Sequence, residues 1–149
     1  MMNDMFFLQE ALKQARKSLS EGGIPIGSVL VDSSGKIVAT GHNRRVQNND
    51  PTAHAETECI RSAGRRRDWH TLTLVSTLSP CLMCTGTALL LKIPKIIIGE
   101  NKTFMGAEDW FEKYGVTLIQ LNNQECIDMM SQFILKNQDI WHEDIGIPR

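Results

Sequence analysis

The chain has 149 residues, a formal net charge of -1 and 22% charged residues. This length favours one domain, spanning residues 1–149, that is large enough to bury a hydrophobic core. The near-neutral charge gives no electrostatic reason to expect a nucleic-acid or membrane partner, and the sequence has no run of about 18 apolar residues that would cross a bilayer.

The first third of the chain predicts a helix, a hairpin and a second helix. Apolar residues recur at helical spacing from Phe6 to Leu19, and EGG at 21–23 ends this predicted helix. The segments IPIGSVLVD and KIVATGHN have the composition of strands, and DSSGK between them favours the turn of a β-hairpin. After a polar loop, a helix is predicted from about Thr52 to Ala63, with Gly64 at its C-terminal cap position.

From Leu72 onward, predicted strands and helices alternate. The strands are LTLVSTL, KIIIGE and VTLIQL, and the first of these is apolar enough for a strand buried on both faces. The helices between and after them are one with Pro80 in its first turn that continues through TGTALLLK, then GAEDWFEKY ended by Gly115, and NQECIDMMSQFILK. A short tail, NQDIWHEDIGIPR, follows.

This element order predicts an α/β fold, a three-layer α/β/α sandwich with a five-stranded mixed sheet. The alternation after Leu72 indicates right-handed crossovers between parallel strands. Only the first two strands, as a pair at the edge of the sheet, are expected to be antiparallel.

The N-terminal segment does not have the basic region followed by an apolar region that defines a signal peptide. A cytoplasmic location is therefore expected. In that compartment the four cysteines are more plausible as thiols or metal ligands than as disulfides.

Two of these cysteines, Cys81 and Cys84, are three residues apart at the start of a predicted helix. This spacing places both sulfur atoms on one helix face, and the helix dipole there favours thiolates. The pair fits either a metal site or a redox dithiol. The redox alternative has less support, because thioredoxin-like motifs often carry Gly-Pro inside the pair, where this chain has Leu82 and Met83.

A third ligand comes from His54, which also lies near the start of a helix. Adjacent βα units bring their helix N-termini to one edge of a sheet, so one nitrogen and two sulfurs can meet there. Three protein ligands leave the fourth tetrahedral position of zinc to water, which is the catalytic arrangement. A closed structural site would need a fourth ligand, and Cys59 and Cys126 both have the sequence context of ordinary buried thiols.

Glu56 follows His54 by two residues. In the first turn of a helix both side chains can approach an ion that lies over the helix end. Glu56 is not needed as a ligand, so the predicted role is general acid/base catalysis on a water molecule that zinc activates. The alternative is a first-turn glutamate that only interacts favourably with the helix dipole.

His54-Ala55-Glu56 and Pro80-Cys81-Leu82-Met83-Cys84 match the zinc-deaminase signature H-x-E followed by P-C-x-x-C. With these motifs the chain resembles the cytidine deaminase-like superfamily over nearly its whole length, and is most similar to fungal-type, zinc-dependent cytosine deaminases. The stretches that carry this closer likeness are EGGIPIGSVL, GHN, TLSPCLMCTG, IPKIIIGEN, QFI and EDIG.

The resemblance implies one Zn²⁺ per chain, held by His54, Cys81 and Cys84, and hydrolysis of cytosine to uracil and ammonia with Glu56 as the proton carrier. It also implies a homodimer, for which the apolar helix TALLLKI is a candidate interface. The substrate-binding groups that it implies are the Asn43 amide and the Ala55 N–H toward the pyrimidine O2, the Ser79 carbonyl and Asp144 toward the amino group, and Phe104 and Trp141 as aromatic walls.

The chain departs from the fungal pattern at DPTAHAE, which is closer to tRNA adenosine deaminases, and at Leu82 and His142. Three alternatives therefore stay open. They are a tRNA adenosine deaminase, which would need a basic face, a deaminase of another small ring such as guanine, isocytosine, a triazine or creatinine, and a non-catalytic zinc-binding or redox module.

Overall fold

The computed structural model describes residues 3–148. The strands are β1 (Gly27–Val31), β2 (Ile37–His42), β3 (Thr73–Ser76), β4 (Lys95–Ile98) and β5 (Thr117–Gln120). The helices are α1 (Asp4–Ser20), α2 (Arg45–Asn48), α3 (Ala55–Ala63), α4 (Leu82–Leu90), α5 (Glu108–Lys113), α6 (Gln124–Lys136) and α7 (Gln138–Asp144), and a 3₁₀ turn covers Trp69–Thr71.

The five strands form one mixed sheet in the order β2-β1-β3-β4-β5. The β3–β4 and β4–β5 pairs are parallel, as expected for strands joined by crossover helices. The expectation that only the first two strands pair antiparallel is wrong, because β1 also pairs antiparallel with β3. The connection from β2 to β3 makes those two strands parallel, and the hairpin places β1 between them, so β1 runs opposite to both neighbours.

Helices cover both faces of this sheet, which confirms the three-layer α/β/α architecture. On one face, α1 and α6 pack Leu8, Leu12 and Cys126 against Val29 and Ile97. On the other face, residues of α3, α4 and α5 pack against the alternate strand residues, which include Leu30, Leu74, Ile96 and Ile98. Successive strand residues thus enter opposite cores, as the pleat of a strand requires.

A third apolar cluster lies where the strand ends meet α6 and α7, and it consists of Ile24, Ile26, Ala55, Leu78, Met130, Phe133 and Trp141. The helix α7 was predicted only as part of a tail. It has one buried residue, Trp141, so its sequence lacks the repeated apolar spacing that marks a longer helix.

The start of α4 also differs from the prediction. Cys81 is the N-cap residue with an extended backbone, and Pro80 precedes the helix instead of lying in its first turn. The Ser79 N–H donates a hydrogen bond to the Glu100 carbonyl at 3.0 Å, which holds this segment in an extended conformation up to Cys81. Within the described part of the chain, no helix is long and apolar enough to cross a membrane.

Candidate active site

His54 caps the N-terminus of α3, and its backbone is fixed by the neighbouring threonine. The Thr57 hydroxyl accepts a hydrogen bond from the His54 N–H at 3.0 Å and donates one to the Thr52 carbonyl at 2.6 Å. The His54 carbonyl accepts the first bond of the helix, from the Glu58 N–H at 2.8 Å. The imidazole therefore projects from a helix end that cannot easily rotate.

The structure brings His54, Cys81 and Cys84 together as a group that can hold a metal ion, with ligand atoms within 4.8 Å of one another. The His54 Nδ1 atom lies 3.4 Å from Cys81 Sγ and 3.7 Å from Cys84 Sγ. A tetrahedral zinc with ordinary Zn–N and Zn–S bonds separates such a nitrogen and sulfur by about 3.6 Å. The donor set and its spacing therefore fit one Zn²⁺ ion.

The electrostatics of this group also favour a cation. The hydrogen bond from Cys84 lowers the pKa of Cys81 to about 4, so Cys81 is a thiolate at neutral pH, the form that binds metal. Burial alone would lower the pKa of His54, but the neighbouring Asp144, Cys81 and Glu56 raise it to about 10. The negative surroundings that stabilise an imidazolium stabilise a zinc ion in the same place.

Glu56 lies in the first turn of α3, 4% exposed, beside the metal group. Burial, followed by the negative charge of Cys81, raises the pKa of Glu56 to about 7. A carboxyl group with a pKa near neutrality accepts and returns protons with little cost in either direction. This property fits a general acid/base better than a residue that only stabilises the helix end.

The second ring nitrogen of His54 faces Asp144 of α7. Nε2 lies 3.0 Å from Asp144 Oδ1, and both atoms are buried without an aligned hydrogen bond among the described residues. A histidine that binds zinc through Nδ1 carries its proton on Nε2 and typically directs it to a carboxylate. Asp144 is thus placed both to orient His54 and to present an acceptor oxygen next to the metal.

Asn43 is held so that only the NH₂ end of its amide faces the adjoining cavity. Its Oδ1 accepts a hydrogen bond from the Arg45 N–H at 2.9 Å, and its carbonyl oxygen accepts from the Ser18 hydroxyl at 2.6 Å and from Gln47 Nε2 at 3.0 Å. Asn43 Nδ2 is buried and has no partner in the described structure. The fold therefore presents a hydrogen-bond donor that a ligand acceptor would satisfy.

These residues surround a small cavity. Eight of the ten residues predicted for the site line it directly, together with three apolar residues that the sequence did not indicate: Ile26, Asn43, His54, Glu56, Leu78, Ser79, Cys81, Phe104, Trp141, Asp144 and Ile145. The other two, Ala55 and Cys84, are fully buried in the first turns of α3 and α4. The main-chain N–H of Ala55 has no acceptor within the helix at this position.

Two aromatic rings close the cavity. Phe104 and Trp141 meet edge to face, with ring centroids 5.8 Å apart and an interplanar angle of 89°. Phe104 lies on a loop that is braced through Ser79, whose hydroxyl donates to Glu108 Oε2 at 2.6 Å and accepts from the Gly106 N–H at 3.0 Å. One wall is therefore fixed to the sheet edge, whereas the other is carried by the short helix α7.

Two of the three departures from the fungal pattern, Leu82 and His142, lie outside this cavity. Leu82 is 61% exposed and lines an outer groove at the mouth of the site. His142 is exposed and lines a separate surface depression. Cys59 and Cys126 are buried free thiols, as predicted.

The three ligands at two helix starts, the buried carboxyl group beside them and the α/β/α sandwich define a zinc-dependent hydrolase of the deaminase type. Residues 1–100 match the family model described as "Cytidine and deoxycytidylate deaminase zinc-binding region". The chain belongs to this family, whose deaminases hydrolyse carbon–nitrogen bonds, and the resemblance inferred from the two motifs is confirmed.

Individual relatives differ in the substrate that their names state. The chain is 45% identical over 141 residues to a cytosine deaminase of Candida albicans, an alignment that covers 93% of this chain and 94% of the relative. It is 42% identical over 111 residues to a tRNA-specific adenosine deaminase of Streptococcus pyogenes, covering 72% and 69%. The structure of a guanine deaminase from Nitrosomonas europaea superposes with a TM-score of 0.77 at 20% identity, covering 89% of this chain and 85% of that one.

Proposed function

We propose that this protein catalyses the hydrolysis of free cytosine to uracil and ammonia. The observation that carries this proposal is a pair of buried polar groups at the cavity: Asn43 Nδ2, a donor with no partner among the described residues, and the Asp144 carboxylate, an acceptor that also faces His54 Nε2. A ring that offers a carbonyl oxygen to the first and an amino group to the second satisfies both. The O2, N3 and C4 amino groups of cytosine present an acceptor, a ring nitrogen and a donor in that order.

In this proposal, each group of the ring meets a specific residue. The Asn43 amide and the Ala55 N–H bind O2, and the Ser79 carbonyl and the Asp144 carboxylate bind the C4 amino group. Phe104 and Trp141 cover the ring. Because the side-chain oxygen Oδ1 of Asn43 already accepts a hydrogen bond from the Arg45 N–H, the amide cannot reverse to accept a hydrogen bond from the ring without losing that contact.

Glu56 carries the protons. A zinc ion bound by His54, Cys81 and Cys84 would supply the Lewis acidity that makes water nucleophilic near neutral pH. Glu56 takes one proton from the attacking water and delivers it to N3 as the new oxygen bonds to C4. Glu56 then transfers the second proton from that oxygen to the exocyclic nitrogen, the C4–N bond breaks, and ammonia leaves with the water oxygen retained as the uracil carbonyl.

The test is ammonia release from a panel of cytosine, cytidine, adenine, guanine, isocytosine and creatinine. Because Trp141, Asp144 and Ile145 at the C-terminal end of the chain line the cavity, cytosine is expected to react and the larger cytidine to be a poor substrate. Glu56→Gln should keep zinc and bind the base but lose turnover, since only the proton carrier is removed. Equal rates on base and nucleoside would contradict the closed pocket, and loss of zinc in Glu56→Gln would contradict the assigned role.

The second candidate is deamination of adenosine in tRNA, which the 42% identity to such enzymes favours. The surface around the cavity mouth argues against it. The groove there is lined by apolar and acidic side chains, including Leu82, Met83, Met105, Asp109 and Trp110, and none of the described residues that line it is lysine or arginine. A surface that binds a polyanion needs basic groups. Salt-dependent binding of tRNA would reverse this preference.

We also propose that the protein forms a homodimer and acts in cytoplasmic pyrimidine salvage. The helix α4 supports the dimer, because Leu82 and Leu90 on its outer side are 61% and 78% exposed whereas Ala88 packs into the core. Sedimentation velocity of the parent and of Leu90→Glu tests this proposal. A monomeric parent would contradict it.

A further inference from the structure

Arg45 lies between two parts of the site that are distant in the sequence. It begins α2, two residues after Asn43, and its side chain is 16% exposed. Nη1 donates a hydrogen bond to the Pro51 carbonyl at 3.0 Å, and the main-chain N–H donates to the Asn43 amide. The guanidinium is therefore fixed to the loop that leads from β2 to α3.

The guanidinium faces two successive carboxylates at the end of α7. Nε lies 3.8 Å from Asp144 Oδ1, and Nη2 lies 3.9 Å from Glu143 Oε1. The Glu143 side chain is 67% exposed, so water screens that pair and it contributes little. The Asp144 side chain is only 4% exposed, and a buried carboxylate is costly unless nearby groups compensate its charge.

The nearby compensating groups are His54 and Arg45. As a zinc ligand, His54 is neutral, so its Nε2 offers Asp144 a hydrogen-bond donor but no full charge. Arginine keeps its positive charge at every accessible pH. Arg45 thus supplies a permanent charge opposite Asp144 that balances the carboxylate when α7 is docked.

We propose that Arg45 is a positioning residue that latches α7 over the cavity by holding Asp144. This inference rests on the proposed function, because Asp144 is one of the groups assigned there to the substrate. Arg45 does not line the closed cavity, so it acts through Asp144 and not on the ring. Since its main-chain N–H also orients Asn43, the same residue links closure of the pocket to the donor at its far side.

Replacement of Arg45 by methionine removes the charge and keeps most of the side-chain length. The KM for cytosine should rise by roughly tenfold, as expected for loss of about one charge-assisted contact, while zinc content stays at the parent value. Amides of residues 138–147 should exchange faster with deuterium, because undocking exposes them, and those of α1 should not change. Arg45→Lys, which keeps the charge, should recover most of the KM.

The matched control is Arg61→Met, which removes an arginine whose side chain is 58% exposed on α3 and pairs with Glu58. It should leave KM and exchange unchanged. In a double-mutant cycle, Arg45→Met combined with Asp144→Asn should be no worse than Asp144→Asn alone, since residues that act as a unit are not additive.

Two results would overturn the latch. One is that the effects of the two single substitutions on KM multiply in the double variant. The other is that the amides of residues 138–147 exchange with deuterium at the parent rate in Arg45→Met. The exchange measurement needs no substrate. A protein that deaminates none of the free bases would refute the proposed function and would still show whether Arg45 holds α7.

Discussion

Replacement of Trp141 by leucine tests whether docking of α7 controls access to the site. Trp141 is 4% exposed and packs in the apolar cluster at the strand ends. Truncation of a buried tryptophan to alanine costs roughly 3–5 kcal/mol, and a buried leucine is worth roughly 1.5–3 kcal/mol. The Trp141→Leu substitution therefore weakens docking of α7 by about 2 kcal/mol, which is about a 30-fold shift toward the undocked form.

The assay is kcat/KM for cytosine together with bound zinc. If only the docked form is competent, kcat/KM falls with the docked fraction, by at most about 30-fold. Bound zinc should not change, because the three ligands belong to α3 and α4.

Trp69→Leu is the matched control. Trp69 is 8% exposed in the core cluster on the α3 side of the sheet, away from the cavity-lining residues. Trp69→Leu should lower the thermal midpoint of unfolding about as much as Trp141→Leu does. It should keep the parent kcat/KM at temperatures where the protein is folded. Equal losses of kcat/KM in both variants would refute the role given to α7.

Three further predictions concern the ligands, a buried thiol and a close approach between two backbone segments. Cys81→Ala should lose zinc and activity together, and full zinc content by atomic absorption would show that Cys81 is not a ligand. Burial raises the pKa of Cys59 to about 12 from its ordinary 9.0, so above about pH 9 the thiol ionises first in the unfolded chain and stability falls as pH rises. Between pH 8 and 10 the parent should lose about 1.4 kcal/mol more unfolding free energy than Cys59→Ala, and parallel denaturation curves would contradict this. A Cβ at Gly106 would lie 1.8 Å from the Pro80 carbonyl oxygen, whereas one at Gly86 meets nothing within 4 Å. Gly106→Ala should therefore displace the Phe104 loop and reduce deaminase activity, while Gly86→Ala should keep the parent activity. Equal activity of the two variants would show that Gly106 is not needed for this close approach.

The sequence predicts the metal group well because its information is local. His54 and Glu56 are two residues apart, Cys81 and Cys84 are three apart, and each pair begins a helix. The H-x-E and P-C-x-x-C motifs therefore define the chemistry without knowledge of the remaining contacts. The sheet only needs to bring two helix ends to the same edge.

Contacts that depend on tertiary packing could not be predicted in this way. All five residues of β1 are buried, but its sequence does not identify its neighbours, so the prediction did not place it between β2 and β3. The helix α7 is too short to show a period. Arg45 gives no local signal, because its importance comes from a carboxylate nearly a hundred residues away in the sequence.

The place of β1 in the sheet also bears on how the protein folds. The β1–β2 hairpin forms from neighbouring residues, whereas the β1–β3 pairing of Val29 with Val75 joins distant segments, and such non-local pairing is slow. His54 follows β2 and Cys81 follows β3. The non-local β1–β3 pairing therefore brings the two sides of the metal group together. A zinc ion held by His54 and Cys81 would join these two segments and oppose their separation. We therefore expect removal of zinc to accelerate unfolding more than it slows folding.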